Sequence, residues 1–393
     1  MKAIYLFILL LFLSLYANGQ DRVWKKQVSG IIITDTSSKN KNKAIDSALI
    51  TTIVNAVKSR KVTTYPAYYN EFTTKMTDAE VSNLFGHTDT MTLIDPIDGH
   101  EVIKVTTHPF FADRIYRYKI FEEWVFNPAT GKMNVEIKYI GPMQDVYGDD
   151  GIYRGKQTIF WLSYKDFYSL VEKQKDKQLL QTFNKYLLQS YFEIDSKKAN
   201  LKSGFDIKTK TWHGDATSSI DMHEAADTVT HFLRDENADT LLSERIIKAI
   251  QNAKLPAWTS DNTHFNKLLT KEGLNKLMTS ESDTQTLIDP VDGHEVIKVT
   301  YKNFLRRVYE YNILQDWSFN PAIGKMEIEI NGIGPIESYY DNNNDPGIPM
   351  FWIHYSDIQP ILNRIEQYHP NNTFAMHIWD SFFLSDTKPV LIK

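Results

Sequence analysis

The stretch TLIDPIDGHEVIKVT, from Thr92 to Thr106, occurs a second time as TLIDPVDGHEVIKVT, from Thr286 to Thr300. Fourteen of the fifteen positions are identical. A second shared block follows each copy, WVFNPATGKM from Trp124 to Met133 and WSFNPAIGKM from Trp317 to Met326. Motifs repeated in the same order predict two homologous units in tandem, and two copies are too few for a solenoid.

Length and composition agree with two folded units. The chain has 393 residues, enough for about two domains of ordinary size. Hydrophobic residues make up 42% and charged residues 24%, which is typical of a protein with packed cores. The formal net charge of −5 gives no general attraction for nucleic acid, so no nucleic-acid partner is expected.

The N-terminus predicts export. Lys2 precedes an apolar run from Ala3 to Tyr16, and the small residues Ala17 and Gly19 follow, so residues 1–19 read as a cleavable signal peptide. A membrane anchor is the alternative, but the run falls short of the ~20 residues that span a bilayer. The chain has no cysteine, which excludes disulfides, thiolate zinc sites and a lipid anchor on cysteine. We therefore expect the mature protein to be free in the periplasm, or secreted.

Residue periodicity predicts an α+β fold. Apolar residues recur every four positions over 44–59, which indicates a helix, and Thr77 with Glu80 has capping-box spacing for another. Met133, Val135 and Ile137 alternate with polar residues, as in a β-hairpin with one buried face. Each unit is expected to be a small antiparallel sheet with flanking helices.

The expected domain boundaries follow the repeat. Unit 1 covers residues 20–196 and unit 2 covers residues 214–393. The basic stretch 197–213 between them has few large apolar residues and is expected to be a linker.

The repeated Asp-Pro-x-Asp-Gly-His-Glu segment is the strongest candidate for a site. Its carboxylates and imidazoles could bind a divalent ion, although Asp-Gly is also a common turn pair. We favour the turn, expect no metal and no cofactor, and interpret the exposed acidic and histidine residues as a partner surface presented twice. The candidate metal ligands are Asp95, Asp98, His100 and Glu101 in the first copy, and Asp289, Asp292, His294 and Glu295 in the second. The predicted partner surface consists of Asp98, His100, Glu101, Asp292, His294 and Glu295.

Motifs for catalysis are missing from the sequence. It contains no G-x-S-x-G, no H-E-x-x-H and no phosphate-binding loop. Glu122, Glu123 and Asp316 lie beside the repeated tryptophans and could be paired carboxylates of a glycosidase. The Asx-rich stretch Asp341–Gly347 lacks the glycine and glutamate of a calcium loop and is expected to be a turn. The residues favour a non-enzymatic binding or assembly role, with an exported glycan-binding protein or glycoside hydrolase as the alternative.

The second block and the sequence after it carry a resemblance to a known family. The pattern consists of Tyr116, Trp124, Phe126, Met133, Pro142 and Trp161 in unit 1, and of Tyr309, Trp317, Phe319, Met326, Pro335 and Trp352 in unit 2. It resembles the signature of the gliding-motility GldN family, called PorN in its non-gliding relatives.

The resemblance implies a periplasmic component of the type IX secretion machinery without catalysis or cofactor. The implied partners are a GldK-like outer-membrane lipoprotein, a GldM-like inner-membrane motor protein and further copies of the chain in a homo-oligomeric ring. Members of the family normally carry one unit, whereas this chain carries two. It is therefore expected to occupy two subunit positions, or to bind the ring as an accessory.

Overall fold

The computed structural model describes most of both units. The described residues are 24–33, 43–68, 72–94, 97, 99–108, 110, 112, 115, 117–148, 150–174, 177–192, 205–206, 211–221, 234–235, 240–261, 264–279, 282–288, 295–301, 308, 310–336, 349–366, 374–384 and 390–391. Elements of the first half are β1 Trp24–Ile33, α1 Lys43–Lys58, β2 Thr64–Pro66, α2 Asp78–Asn83, β3 His87–Ile94, β4 Glu101–His108, β5 Arg117–Asn127, β6 Lys132–Tyr147, β7 Tyr153–Thr158, β8 Phe160–Ser163, α3 Tyr164–Lys173 and α4 Lys177–Tyr191.

The second half repeats this order. Its elements are β9 Phe205–Asp206, β10 Thr211–Asp221, β11 Arg234–Asp235, β12 Thr240–Leu241, α5 Leu242–Gln251, β13 Trp258–Thr259, α6 Lys271–Thr279, β14 Ser282–Ile288, β15 Glu295–Tyr301, β16 Glu310–Asn320, β17 Lys325–Ile336, β18 Phe351–His354, α7 Tyr355–Glu366, α8 Phe374–Leu384 and β19 Val390–Leu391. The predicted α+β fold with tandem units is confirmed.

Each unit is built on a long β-hairpin, β5–β6 in unit 1 and β16–β17 in unit 2. Along β6, buried residues alternate with exposed or half-buried ones from Lys132 to Lys138, because successive side chains of a strand point to opposite faces. The hairpin turn contains Gly131, whose φ of +68° suits glycine best, and Asn127 Oδ1 accepts the N–H of Ala129 at 3.0 Å. Gly324 has φ +65° at the same place in unit 2.

The two hairpins join edge to edge in one continuous sheet. Its strand order is β1-β5-β6-β17-β16-β10-β19, so the units share a border between β6 and β17. That border is antiparallel, with Lys325 opposite Glu136 and Glu329 opposite Lys132. Counterpart residues here are 193 positions apart, as Met133 and Met326 are. The register is therefore the same when read from either unit, as across a two-fold axis.

The outer strands repeat the same relationship. Trp24 of β1 lies opposite Phe126 of β5, and Trp212 of β10 lies opposite Phe319 of β16. β10 thus starts within the stretch that was expected to be a linker.

Aromatic side chains connect each unit to the other above the shared sheet. Trp124 of unit 1 packs against Phe382 and Phe383 of α8 in unit 2, with ring centroids 5.8 and 5.2 Å apart. Phe192, which follows α4 in unit 1, packs in return against Trp317 of unit 2 at 4.7 Å. One buried cluster therefore contains residues of both units.

The predicted helices of unit 1 are present. α1 buries Leu49, Ile53 and Val57, which are three of the apolar residues that recur at every fourth position of this helix. At α2, the Thr77 hydroxyl accepts from the backbone of Glu80 at 3.3 Å, and the Thr77 backbone donates to the Glu80 carboxylate at 2.7 Å. The predicted capping box is confirmed.

Candidate functional site

The repeated stretch forms a hairpin that stands apart from the central sheet. β3 pairs with β4 from His87–His108 to Ile94–Glu101, and within the described residues neither strand pairs with another. β14 and β15 form the equivalent two-stranded sheet in unit 2. Two strands alone are marginally stable in water. With no third strand among the described residues, each hairpin would gain stability from a partner that covers it.

The β3–β4 hairpin exposes apolar side chains on both faces. Ile103 is 65% exposed and its neighbour Val102, which points to the other face, is 46% exposed. Ile94 and Ile97, at the end of the hairpin that carries the turn, are 72% and 93% exposed. Apolar side chains exposed together in this way mark interaction surfaces in soluble proteins.

Only part of the predicted partner surface falls on described residues. His100 and Glu101 are both exposed. Glu295 is the first residue of β15, and its backbone pairs with Ile288. Asp95, Asp98, Asp289, Asp292 and His294 lie outside the described residues, as does the stretch Asp341–Gly347. Among the residues that are described, no three acidic or histidine side chains lie close enough together to bind a metal ion.

The signature residues form the core rather than a surface. Tyr116 and Tyr309 lie outside the described residues, and the other ten are buried. Phe126, for example, stacks on Trp379 of the other unit with ring centroids 5.9 Å apart.

Glu122 is buried at a β-bulge in the β5–β6 hairpin of unit 1. The register shifts between Phe121 and Glu122, and only 2% of Glu122 is exposed. The Tyr191 hydroxyl donates to its Oε1, and the Trp124 indole N–H donates to its Oε2 at 3.2 Å. Burial raises the pKa of this carboxyl to about 7, although the hydrogen bonds from Tyr191 and Trp124 lower it in part.

Unit 2 has a neutral version of the same arrangement. Its bulge falls between Leu314 and Gln315, and Gln315 Oε1 accepts from the indole N–H of Trp317 at 2.8 Å. Gln315 stands where unit 1 has Glu122, and Phe382 stands where unit 1 has Tyr191. Unit 2 therefore lacks both the carboxyl group of Glu122 and the Tyr191 hydroxyl that donates to it.

A cleft of 260 Å³ opens beside the bulge of unit 2. Its lining residues are His264, Phe265, Leu314, Gln315, Asp316, Asn331 and His354. Sequence reasoning singled out only Asp316 among them. The difference that indicates the cleft is visible when the two units are aligned. Where unit 1 has Tyr139 and Ser163, unit 2 has Gly332 and His354.

The three carboxylates considered for a glycosidase do not form a pair in one cleft. Glu122 is sealed in the core of unit 1, and its neighbour Glu123 is half-buried. Asp316 is the one carboxylate that lines the cleft of unit 2. Glycoside hydrolysis uses two carboxyl groups on either side of the scissile bond, so the cleft does not have the arrangement expected of that enzyme.

The fold and its exposed hairpins define a class of protein with two homologous α+β units, paired internally and carrying one protruding hairpin each. The family model for the gliding motility associated protein GldN matches residues 17–194 and again residues 208–387, which is more than half of the chain. The chain therefore belongs to the GldN family, as a tandem duplication.

Membership has a functional consequence at the level of the family. GldN proteins are structural components of the gliding-motility and type IX secretion apparatus and are not known as enzymes. A comparison with curated proteins gives no match. In the part of the chain that the structure describes, no helix is both long enough and apolar enough to cross a bilayer.

Proposed function

We propose that the chain is a non-enzymatic structural component of the periplasmic part of the type IX secretion and gliding apparatus, supplying two GldN units already joined. The observation that supports this is the border between β6 and β17. Its register is the same from both sides, with Lys132 opposite Glu329 and Glu136 opposite Lys325. Identical subunits meet in this way across a two-fold axis. One chain thus corresponds to a pair of subunits, and we propose that it occupies two positions of a homo-oligomeric ring. Because a two-fold contact closes on itself, further copies would join the ring through other surfaces.

Export by the signal peptide 1–19 brings the protein to the compartment where such a ring is expected. There the two units, 20–196 and 214–393, have cores without disulfides, since the chain contains no cysteine. Attachment to the inner face of the outer membrane then comes from protein partners.

The hairpins are the proposed contact with those partners. In unit 1 the turn residues His100 and Glu101 of the repeated stretch are exposed. The near-identity of the two copies supports two contacts of the same kind, one per unit. A GldK-like lipoprotein and a GldM-like motor protein are the proposed partners.

Affinity purification of the tagged chain from detergent-solubilised envelopes tests the proposal. We expect a GldK-like lipoprotein, a GldM-like motor protein or both to be recovered with the wild-type chain. A variant with His100, Glu101, His294 and Glu295 all replaced by alanine should lose this recovery. If neither protein accompanies the wild-type chain, the proposed function is wrong.

The control variant changes exposed side chains far from the hairpins in sequence. Lys165 in α3 and Lys248 in α5 are exposed, one in each unit. Lys165→Ala with Lys248→Ala should recover the same partners as the wild type. Equal loss in both variants would mean that the hairpins are not the contact.

A further inference from the structure

In one place the two units carry an aromatic ring on different strands, on β6 in unit 1 and on β18 in unit 2. In unit 1, Tyr139 pairs with Ser163, and its ring stacks on Phe72 at 3.6 Å with an angle of 8°. In unit 2, Gly332 pairs with His354, and the imidazole stacks on Phe265 at 3.9 Å and 25°. His354 thus replaces the ring of Tyr139 from the opposite strand.

The phenylalanine below the ring is held the same way in both units. Phe72 has φ +48° and Phe265 has φ +54°, a left-handed region that bulky side chains rarely adopt. A Cβ on Gly332 would lie 2.6 Å from Phe265 Cζ, so Phe265 can lie close to the strand only because that residue is glycine.

These exchanges leave the cleft in unit 2. In unit 1 the ring of Phe121 occupies the equivalent region, with its centroid 4.9 Å from that of Phe72. Trp161 also packs against Phe72, and unit 2 keeps a tryptophan, Trp352, at that position. Unit 2 has the smaller Leu314 in place of Phe121. At 260 Å³, the cleft lies below the ~300–1,000 Å³ of sites for drug-sized molecules, and its size suits a single ring.

The lining mixes hydrogen-bonding groups of both kinds. The Asp316 carboxylate accepts, whereas the carboxamides of Gln315 and Asn331 and the imidazoles of His264 and His354 can both donate and accept. Gln315 is 1% exposed and its Oε1 accepts from the Trp317 indole N–H, so it contributes little accessible surface to the cleft. Asn331 is the extra residue of the bulge, since Leu314 pairs with Gly332 and Gln315 with Ile330.

This chemistry discriminates between ligand classes. An anion would meet the Asp316 carboxylate, and the acidic and histidine residues of the lining, Asp316, His264 and His354, do not form a group that could bind a metal ion. A neutral ring with several hydroxyls matches alternating donors and acceptors, and its C–H face matches Phe265 and Leu314.

We propose that the cleft of unit 2 binds a single pyranose ring of a neutral saccharide, at a position where unit 1 has the rings of Phe121 and Tyr139 packed on Phe72. The inference is independent of the proposed role in secretion, because it depends only on the lining residues. With one carboxylate in its lining, the site binds the sugar without hydrolysing it.

The test is titration of the full chain with glucose and with N-acetylglucosamine, followed by NMR chemical shifts of the imidazole and indole protons. We expect saturable shifts with at least one of the two sugars at millimolar concentration, limited to unit 2. Inorganic phosphate, added alone, should cause none. If phosphate shifts the same signals and neither sugar does, the proposal is overturned.

Variants that give unit 2 the residues of unit 1 provide the specific check. Leu314→Phe and Asn331→Lys fill the cleft with the residues found at the same positions of unit 1, Phe121 and Lys138. Together they should weaken sugar binding roughly tenfold or more, as expected when packing and hydrogen bonds are lost. Asn331→Gln is the milder second variant if the double substitution does not fold.

The reverse substitutions in unit 1, Phe121→Leu and Lys138→Asn, are the control and should leave the affinity unchanged. Unchanged affinity in the folded Leu314→Phe, Asn331→Lys variant would place the sugar elsewhere and overturn the proposal.

Discussion

Asn134 lies directly opposite Glu327, the residue that occupies its own position in the second unit. A residue meets its own counterpart only where a two-fold axis passes between two strands. The next residues on both sides follow the same rule, since Met133 lies opposite Ile328 and Val135 opposite Met326. The chain is therefore an internal pair of GldN units rather than two domains on a flexible connection.

The turn glycine of unit 1 has no Cβ and therefore allows close contact with Tyr355 of unit 2. Gly131→Ala tests this contact. A Cβ there would lie 2.6 Å from Cδ1 of Tyr355 in the other unit, at a φ of +68°. We expect the free energy of unfolding in urea to fall by about 3 kcal/mol, because overpacking adds to backbone strain.

Gly151→Ala is the control for backbone strain alone. Gly151 has φ +73° and nothing within 4 Å of its Cβ position, so its loss should be about 1 kcal/mol. Equal losses in the two variants would contradict the contact between Gly131 and Tyr355.

The Tyr355 hydroxyl makes a hydrogen bond across the unit border. It donates to the backbone carbonyl of Pro128 at 2.8 Å. Tyr355→Phe should lower the free energy of unfolding by about 1–2 kcal/mol, because the carbonyl loses its donor.

Tyr164 occupies the same position in unit 1, but its buried hydroxyl has no hydrogen-bond partner among the described residues. Tyr164→Phe should therefore be neutral or slightly stabilising in the same urea measurement. If the two substitutions have the same effect, the hydrogen bond from Tyr355 contributes nothing.

The buried Glu122 makes stability depend on pH. Its pKa in the fold is raised from 4.5 to about 7, so folding favours the protonated carboxyl. The stabilisation is present below the unfolded pKa and is lost as pH rises through about 7. The free energy of unfolding should fall by about 2 kcal/mol between about pH 5 and pH 8 because of this group. Glu122→Gln should remove this part of the pH dependence, and an unchanged pH profile would contradict the assignment.

Glu122 and Tyr191 should also be coupled energetically. Tyr191→Phe alone removes a donor to a buried carboxyl, whereas Tyr191→Phe with Glu122→Gln reproduces the Gln315 and Phe382 of unit 2. A double-mutant cycle at pH 8 should give a coupling energy of about 1–3 kcal/mol. Additive effects would show that the hydroxyl and the carboxyl act independently.

Much of each unit is predictable from sequence, because its signals are local. The alternation from Met133 onwards predicts a hairpin, and the capping box predicts α2 from Thr77 and Glu80 alone. The resemblance of Trp124 and Phe126 to the GldN signature predicts the family. These signals need only neighbouring residues and the period of one element.

The contacts between units were not predictable, because they join residues more than a hundred positions apart. Nothing near Trp124 in the sequence indicates that Phe382 and Phe383 cover it. Glu122 was considered as one carboxylate of a catalytic pair, but the bulge and Tyr191 bury it. The cleft was not predictable, because it depends on which strand carries an aromatic ring, Tyr139 in unit 1 or His354 in unit 2. This difference is visible only once the pairing of the strands is known.

The most direct test of the internal pair is a disulfide between its central residues. The chain has no cysteine, so Asn134→Cys with Glu327→Cys creates the only thiols. The Ile137 N–H donates to Gly324 O at 2.8 Å, and the Ile330 N–H donates to Gly131 O at 2.9 Å. Hydrogen-bonded and non-hydrogen-bonded pairs alternate along an antiparallel ladder. The pair Asn134–Glu327 lies three pairs from each of these two, so it is a non-hydrogen-bonded pair. Such pairs have Cα atoms ~4.5 Å apart, within reach of a disulfide. Peptide mapping of the oxidised, monomeric variant should recover residues 134 and 327 in one cross-linked peptide. Free thiols at both positions in the folded, oxidised variant would contradict the account.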